Sequence, residues 1–170
     1  ENVDTLKNYN VEKIVTCCPH CFNILKNEYP DFGGEYKVIH HSIFLQYLTD
    51  TGKLKTKGNG AADVAYHDSC YMGRYNDVYD EPRDTVSSVP GLNVVEPERN
   101  RSRGLCCGAG GGQMFMEETK GKRVNMERTE ELVNTGAKQI ASNCPFCMTM
   151  LTDGVKMQDK EEEVQVKDIA

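Results

Sequence analysis

The sequence predicts an α/β protein made of two related Rossmann-like units with mainly parallel sheets, the first of them truncated. Three observations lead there. Short apolar runs alternate with amphipathic stretches, the order that produces parallel sheets. Two Cys-Pro-x-Cys units, Cys18-Pro19-His20-Cys21 and Cys144-Pro145-Phe146-Cys147, each follow such a run. A shift of 126 positions superposes Cys18 on Cys144, Cys21 on Cys147, Leu6 on Leu132, Ile14 on Ile140 and Leu25 on Leu151. Register kept at apolar positions as well as at cysteines marks a duplicated unit.

Taken in order, Lys13 to Cys17 reads as a short buried strand, and Pro19, at the first helical position, opens a helix to about Tyr29. Tyr36 to His40 reads as a strand. Ser42 to Leu48 reads as a helix whose apolar stripe is Ile43, Phe44, Tyr47 and Leu48. Lys53 to Gly60, polar and glycine-containing, is the expected linker between residues 1–52, the tail of the first unit, and residues 61–170, the complete second one. There, Asp63 to His67 is a strand leading to Cys70, Pro82 to Val89 a helix closed by Pro90-Gly91, and Leu92 to Val95 a strand. A long helix is expected from Gln113 to about Asn134, with Gly121 as its weak point. Ala137 to Ser142 is a strand, Pro145 to about Asp153 a helix, and Glu163 to Lys167 the last strand.

Composition narrows the function. Hydrophobic residues make up 38% and charged residues 27% of the 170 positions, a globular rather than a disordered balance. The net charge of −6 offers no basic face, so no nucleic-acid partner is expected. No apolar run is long enough for a membrane-spanning helix. The start at Glu1 carries neither a secretory nor a transit signal, and the chain reads as the carboxy-terminal part of a longer cytoplasmic polypeptide.

Eight cysteines in a chain without tryptophan need an explanation. Reducing cytosol disfavours a disulfide framework, and adjacent cysteines such as Cys106-Cys107 bridge poorly. All eight lie in turn-like segments rich in Gly and Pro, which packing cysteines have no reason to choose. Metal or cluster ligation is the favoured account. Cys17-Cys18, Cys70 and Cys144 each follow a strand, where open α/β sheets gather their ligands, and each Cys-Pro-x-Cys opens a helix whose dipole favours thiolate. Cys70, Cys106, Cys107, Cys144 and Cys147 exceed the four ligands of structural zinc, which favours iron–sulfur over a zinc-binding interaction domain. Metal-free thiol–disulfide chemistry would leave this constellation unexplained. In Gly104 to Gly112, glycine backbone at Gly108, Gly110 and Gly111 is expected to approach the cofactor and donate N–H groups to it. A phosphate loop would need a Gly-Lys-Ser/Thr ending that is missing.

The segments His67-Asp68-Ser69-Cys70-Tyr71-Met72-Gly73-Arg74, Cys106-Cys107-Gly108-Ala109-Gly110-Gly111-Gly112 and Asn143-Cys144-Pro145-Phe146-Cys147 resemble the cysteine-rich CCG domain. That domain occurs in the catalytic subunit of heterodisulfide reductase and in related Fe–S oxidoreductases, among them glycolate oxidase, anaerobic glycerol-3-phosphate dehydrogenase and lactate-utilisation subunits. Residues 75–83 and 18–48 are most similar to a membrane-associated branch that passes electrons from electron-transfer flavoprotein to quinone. The resemblance implies two repeats, each able to hold a four-iron (4Fe-4S) cluster, cubane or non-cubane. It implies Cys70, Cys106, Cys107, Cys144 and Cys147 as ligands of the second, with Cys18, Cys21 and, adjacent to them, Cys17 as the remnant of the first. It also implies flavoprotein or ferredoxin-type redox partners, and a place at the inner face of the cell membrane through segments outside this chain. Ser69 departs from the Pro common at its position, and the leading repeat lacks its first cysteine and its CCG.

Among the surrounding side chains, His67 is the candidate catalytic residue, a proton donor during reduction of a disulfide or quinone; a histidine bonded to backbone at a strand end is the bland alternative. His40-His41 reads as a capping or surface pair. Arg74 and Arg83 are candidates for balancing cluster charge, and Met114, Phe115 and Met116 for an apolar lid.

Overall fold

The computed structural model describes residues 1–58, 60–118 and 120–170. Asn2–Asn8 forms α1, Lys13–Thr16 β1 and Pro19–Asn23 α2, and the helical run continues as a π turn (Ile24–Glu28) and a 3-10 turn (Tyr29–Phe32). Lys37–His40 forms β2 and His41–Asp50 α3. The second part follows with β3 (Ala62–Tyr66), α4 (Gly73–Asn76), α5 (Asp80–Ser87), β4 (Leu92–Val95), α6 (Val124–Val133), β5 (Gln139–Ser142), α7 (Pro145–Lys156) and β6 (Gln165–Asp168).

All strand pairs are parallel. β1 and β2 form one sheet, and the other runs β4-β3-β5-β6. The duplication is visible in the backbone. β1 and β5 span the same positions once the 126-residue shift is applied, and Lys13 pairs with Lys37 as Gln139 pairs with Gln165. Each unit therefore runs helix, strand, Cys-Pro-x-Cys helix, strand. The segment expected to be a linker is irregular through Gly58, tied to the end of α5 by a hydrogen bond from Thr56 Oγ1 to the Ser88 carbonyl (2.6 Å); Asn59 lies outside the described residues.

The four-stranded sheet is covered on both faces, as a parallel sheet must be. Ala65 and Ile140 join Leu132 of α6 and Leu151 and Val155 of α7. Val64, Tyr66 and Ala141 join Val86 of α5. The alternation Val64–Ala65–Tyr66 is the strand period dividing its side chains between two layers. The two units pack on each other through Phe22, Val38 and Ile43 of the first and Met72 and Val78 of the second. His41 Nε2 and Asp168 Oδ1 (3.0 Å) and Gln46 and Asp84 (3.1 Å) close the seam.

One expected element is different. The expected long helix from Gln113 to Asn134 is instead a 3-10 segment, Gly110–Phe115, with left-handed turns at Gly111 and Gly112, then non-helical residues 116–118 and 120–123, then α6; Thr119 lies outside the described residues. Glycines and the aperiodic Met114-Phe115-Met116 run give no continuous apolar stripe for a helix to bury.

Candidate metal centre

In the order β4-β3-β5-β6 the connections leave β3 to one side and reach β5 on the other, so the switch point lies between β3 and β5. Crevices beyond the carboxyl ends of such strands are the ligand sites of α/β sheets. β3 delivers His67, Asp68, Ser69 and Cys70 there, and β5 delivers Asn143 and Cys144. His67 N–H continues the ladder to the Ala141 carbonyl (2.9 Å).

The third segment is brought in by Asp68. Arg83 grips its carboxylate with two hydrogen bonds, 2.8 and 2.9 Å, while turning its Nε to Glu96 (2.6 Å). Asp68 Oδ2 also accepts from the backbone N–H of Arg101 (2.6 Å), and Arg74 donates to the carbonyl of Gly104. The loop carrying Cys106-Cys107 thus hangs from the loop carrying Cys70. Arg74 and Arg83 are structural clamps, occupied by protein acceptors.

Cys144 caps α7 and Cys147 lies in its first turn, with Met148 N–H bonded to the Cys144 carbonyl (2.9 Å). The same arrangement recurs at Cys18, which caps α2 ahead of Pro19, with Phe22 N–H on its carbonyl (2.9 Å).

Five sulfurs meet. Cys70 neighbours Cys106, Cys106 neighbours Cys107, Cys107 neighbours Cys147 and Cys147 neighbours Cys144, each close enough to shift the other's ionisation. Cys107, Cys144 and Cys147 are buried and pack with Met150, edged by Cys106, Ala109 and Met114. Ionisation of one thiol shifts its neighbours. Donation by Cys107, by Cys70 and by the Gly108 N–H (3.3 Å) holds Cys106 far below the usual thiol range. Donating to Cys106 in turn pushes Cys107 up to about 12, and the same bond followed by burial raises Cys70. Cys107, Cys144 and burial raise Cys147, while Cys144 comes down to about 7, chiefly through Cys147. Several negative charges cannot share a low-dielectric pocket unless a cation joins them, and metal coordination deprotonates thiols outright. The donor set fits a soft, multi-sulfur group.

His67 is fully buried and its pKa is pushed down to about 3, by burial first and then by the adjacent Arg128. Among the described residues its Nε2 and both polar atoms of Asn143 are buried without a hydrogen-bond partner. A ring nitrogen of His67 and the sulfurs of Cys107 and Cys147 all lie within 4.8 Å of one another.

Of the three expected glycines, Gly108 sits at the sulfurs through its N–H, whereas Gly110 and Gly111 are exposed, with open space where a side chain would begin. Met114 packs against the cysteines, but Phe115 (83% exposed) and Met116 (56%) face solvent and form no lid.

Cys17, Cys18 and Cys21 form a separate, more open group, with Cys17 and Cys21 exposed. Burial, then hydrogen bonding to Cys18, raises Cys21. His20 connects the two groups. Its ring lies 4.2 Å from that of Tyr71, next to Cys70, and 5.1 Å from that of Phe146, and its Nδ1 is 3.9 Å from Cys18 Sγ. His40 caps α3 by accepting from the Ser42 N–H (3.3 Å), as expected of a capping histidine. Sequence reasoning missed Asp68 as the hub and Arg128 as the partner of His67. Their burial comes from long-range packing and leaves no local pattern to read.

No helix among the described residues is long and apolar enough to cross a membrane. The family described as CCG, cysteine-rich domain, matches residues 1–26 and 64–152. The chain is 47% identical over 169 residues to the probable iron-sulfur-binding oxidoreductase FadF of Bacillus subtilis, covering 99% of this chain and 24% of that protein. It is 44% identical over 177 residues to the EtfAB:quinone oxidoreductase of Syntrophomonas wolfei, covering 100% and 25%. Against a dihydromethanophenazine:CoB–CoM heterodisulfide reductase polypeptide of Methanosarcina acetivorans the identity is 32% over 171 residues, covering 99% and 41%. The chain thus spans between a quarter and two-fifths of the length of these relatives. With both cysteine-bearing units inside the matched segments, the chain belongs to the cysteine-rich CCG domain family.

Proposed function

We propose that this chain is the cluster-bearing module of an iron–sulfur oxidoreductase, in which Cys70, Cys106, Cys107, Cys144 and Cys147 hold a four-iron cluster, cubane or non-cubane. The observation that carries the reading is the meeting of five sulfurs from three distant segments at one switch point. When bound, such a cluster stores and passes single electrons. The chain's own residues set its surroundings. The Gly108 N–H donates to the Cys106 sulfur, and Met150 and Met114 keep water from the inner cysteines. The contact of His20 with Tyr71 and Phe146 holds the Cys17, Cys18 and Cys21 group beside the first, where it serves as part of a second site.

Residues 1–52 are read as the tail of the first repeat, 53–60 as a linker and 61–170 as the complete second repeat. The names of the relatives support a flavoprotein-type donor and a quinone or disulfide acceptor, with the rest of the same polypeptide as a further partner. We place the chain in the cytoplasm, at the inner membrane face through segments outside it; a relative named probable membrane-anchored ferredoxin supports the membrane attachment.

Anaerobic iron and sulfide analysis of the full-length protein, with visible absorption and EPR, tests the reading. Absorption near ~400 nm that bleaches with dithionite is expected for thiolate-bound clusters. A colourless protein holding only zinc would overturn it in favour of a structural metal domain.

A further inference from the structure

Arg128 lies on α6 with its side chain fully enclosed. Its Nη1 donates to the carbonyl of Arg99 and to Glu131 Oε2, each 2.8 Å away, and its Nε donates to His67 Nδ1 at 3.0 Å. A guanidinium has no acceptor, so His67 Nδ1 must offer a lone pair in that contact. A neutral imidazole with its lone pair on Nδ1 carries its hydrogen on Nε2. That Nε2–H is buried and unpartnered among the described residues, and a ring nitrogen of His67 lies within 4.8 Å of the sulfurs of Cys107 and Cys147. A buried N–H without an acceptor is costly, and a fold keeps one where a bound group completes the pair.

We propose that His67 donates its Nε2–H as a hydrogen bond to the sulfur-bound group at this site, and that Arg128 is the positioning residue that fixes the ring in the donating tautomer. The proposal rests on the iron–sulfur reading. It differs from two other roles for His67. A protonated nitrogen has no lone pair for iron, so His67 is not a ligand. Transfer of the Nε2 proton would leave an imidazolate, so the ring gives a hydrogen bond and keeps its proton. A donor at a sulfur stabilises the more negative, reduced state and raises the reduction potential.

The test uses the full-length protein and three variants. His67→Gln keeps an acceptor for Arg128 and a donor for the sulfur. The double variant His67→Leu/Arg128→Met removes the pair together, so that no cation is left buried alone. Arg128→Met alone frees the tautomer. Iron and sulfide content is expected to stay at the wild-type level in all three. The double variant is expected to disfavour reduction about tenfold, a midpoint lower by about 59 mV for a one-electron couple, with Arg128→Met moving the same way and His67→Gln holding the wild-type potential. Loss of iron from soluble, folded His67→Gln would make His67 a ligand and overturn the proposal, as would an unchanged potential in the double variant.

The tautomer is read independently by ¹⁵N NMR of the histidine rings, with His67→Gln assigning the signal. The Nε2–H form is expected with or without metal. The Nδ1–H form would overturn the proposal even if iron is bound. Wild-type protein that binds no iron while showing Nε2–H would instead overturn the iron–sulfur reading and, with it, the target of the donor, leaving only the Arg128–His67 pairing.

Discussion

Asn10 and Gly136, 126 positions apart, both adopt a left-handed backbone, with φ of 50° and 81°. Each sits between a helix and the strand that leads to a Cys-Pro-x-Cys unit, so the two copies share a turn as well as their cysteines. Gly33 and Asp159 repeat the relationship at the same offset, with φ of 74° and 54°. The left-handed region costs an ordinary L-residue about 1–2 kcal/mol, glycine nothing, and asparagine less than most. Gly136→Ala is therefore expected to lower stability by about 1 kcal/mol, since open space around it leaves backbone strain as the only cost. Asn10→Gly should be close to neutral. Denaturant midpoints of the two variants check this, and an unaffected Gly136→Ala would show that the turn relaxes elsewhere.

The Asp68–Arg83 pair predicts a larger effect. Both side chains are almost enclosed, at 5% and 7% exposure, so removing one strands the other's charge. Arg83→Leu is expected to destabilise the protein by about 3–5 kcal/mol, the range for breaking a buried pair. Because Asp68 also holds Arg101 N–H, the variant should lose affinity for iron as well. A cost below about 1 kcal/mol by chemical denaturation would mean that the carboxylate reaches water.

The two cysteine groups should respond differently to substitution. Cys107 is buried between Cys106 and Cys147, so Cys107→Ser is expected to abolish the visible absorption of the five-cysteine site. Cys17 is exposed and outside the five-sulfur chain, and Cys17→Ser should leave that absorption in place. Iron content and EPR of the two variants, purified anaerobically, decide it; equal loss in both would merge the groups into one site.

Acid stability follows from buried histidine. Burial, and then the neighbouring His41, pushes His40 down to about 4 from an ordinary value of 6.5. Its neutral form is the folded form, so its contribution is complete above pH 6.5. Between 6.5 and 4 the unfolded chain binds the extra proton, and stability falls with pH. At about 1.4 kcal/mol per unit, the loss is on the order of 3 kcal/mol by pH 4. His67 acts in the same direction in the metal-free protein. His40→Gln should flatten the dependence of the unfolding midpoint across this window, and a slope unchanged by the substitution would assign it to other groups.

Much of the fold is written locally. Leu92–Val95 forms the expected strand, and the strands from Lys13, Tyr36 and Asp63 shift by about a residue at their ends. Proline after Cys18 and Cys144 starts both helices where a missing N–H costs nothing. The failure between Gln113 and Asn134 has a local cause too, since Gly111 and Gly112 turn left-handed and leave Phe115 in solvent.

The order of residues was enough to settle the alternation of strand and helix, the duplication, and which sulfurs were available, because apolar period, proline and cysteine spacing act within a few residues or repeat along the chain. Folding in three dimensions was needed to make Asp68 hang one cysteine loop from another, to commit Arg83 to that task, and to set Arg128 against His67 beside the sulfurs. Those assignments depend on which charges share one dry interior. Partners 33 and 61 residues apart in the chain meet there only once β3, β5 and α6 have packed.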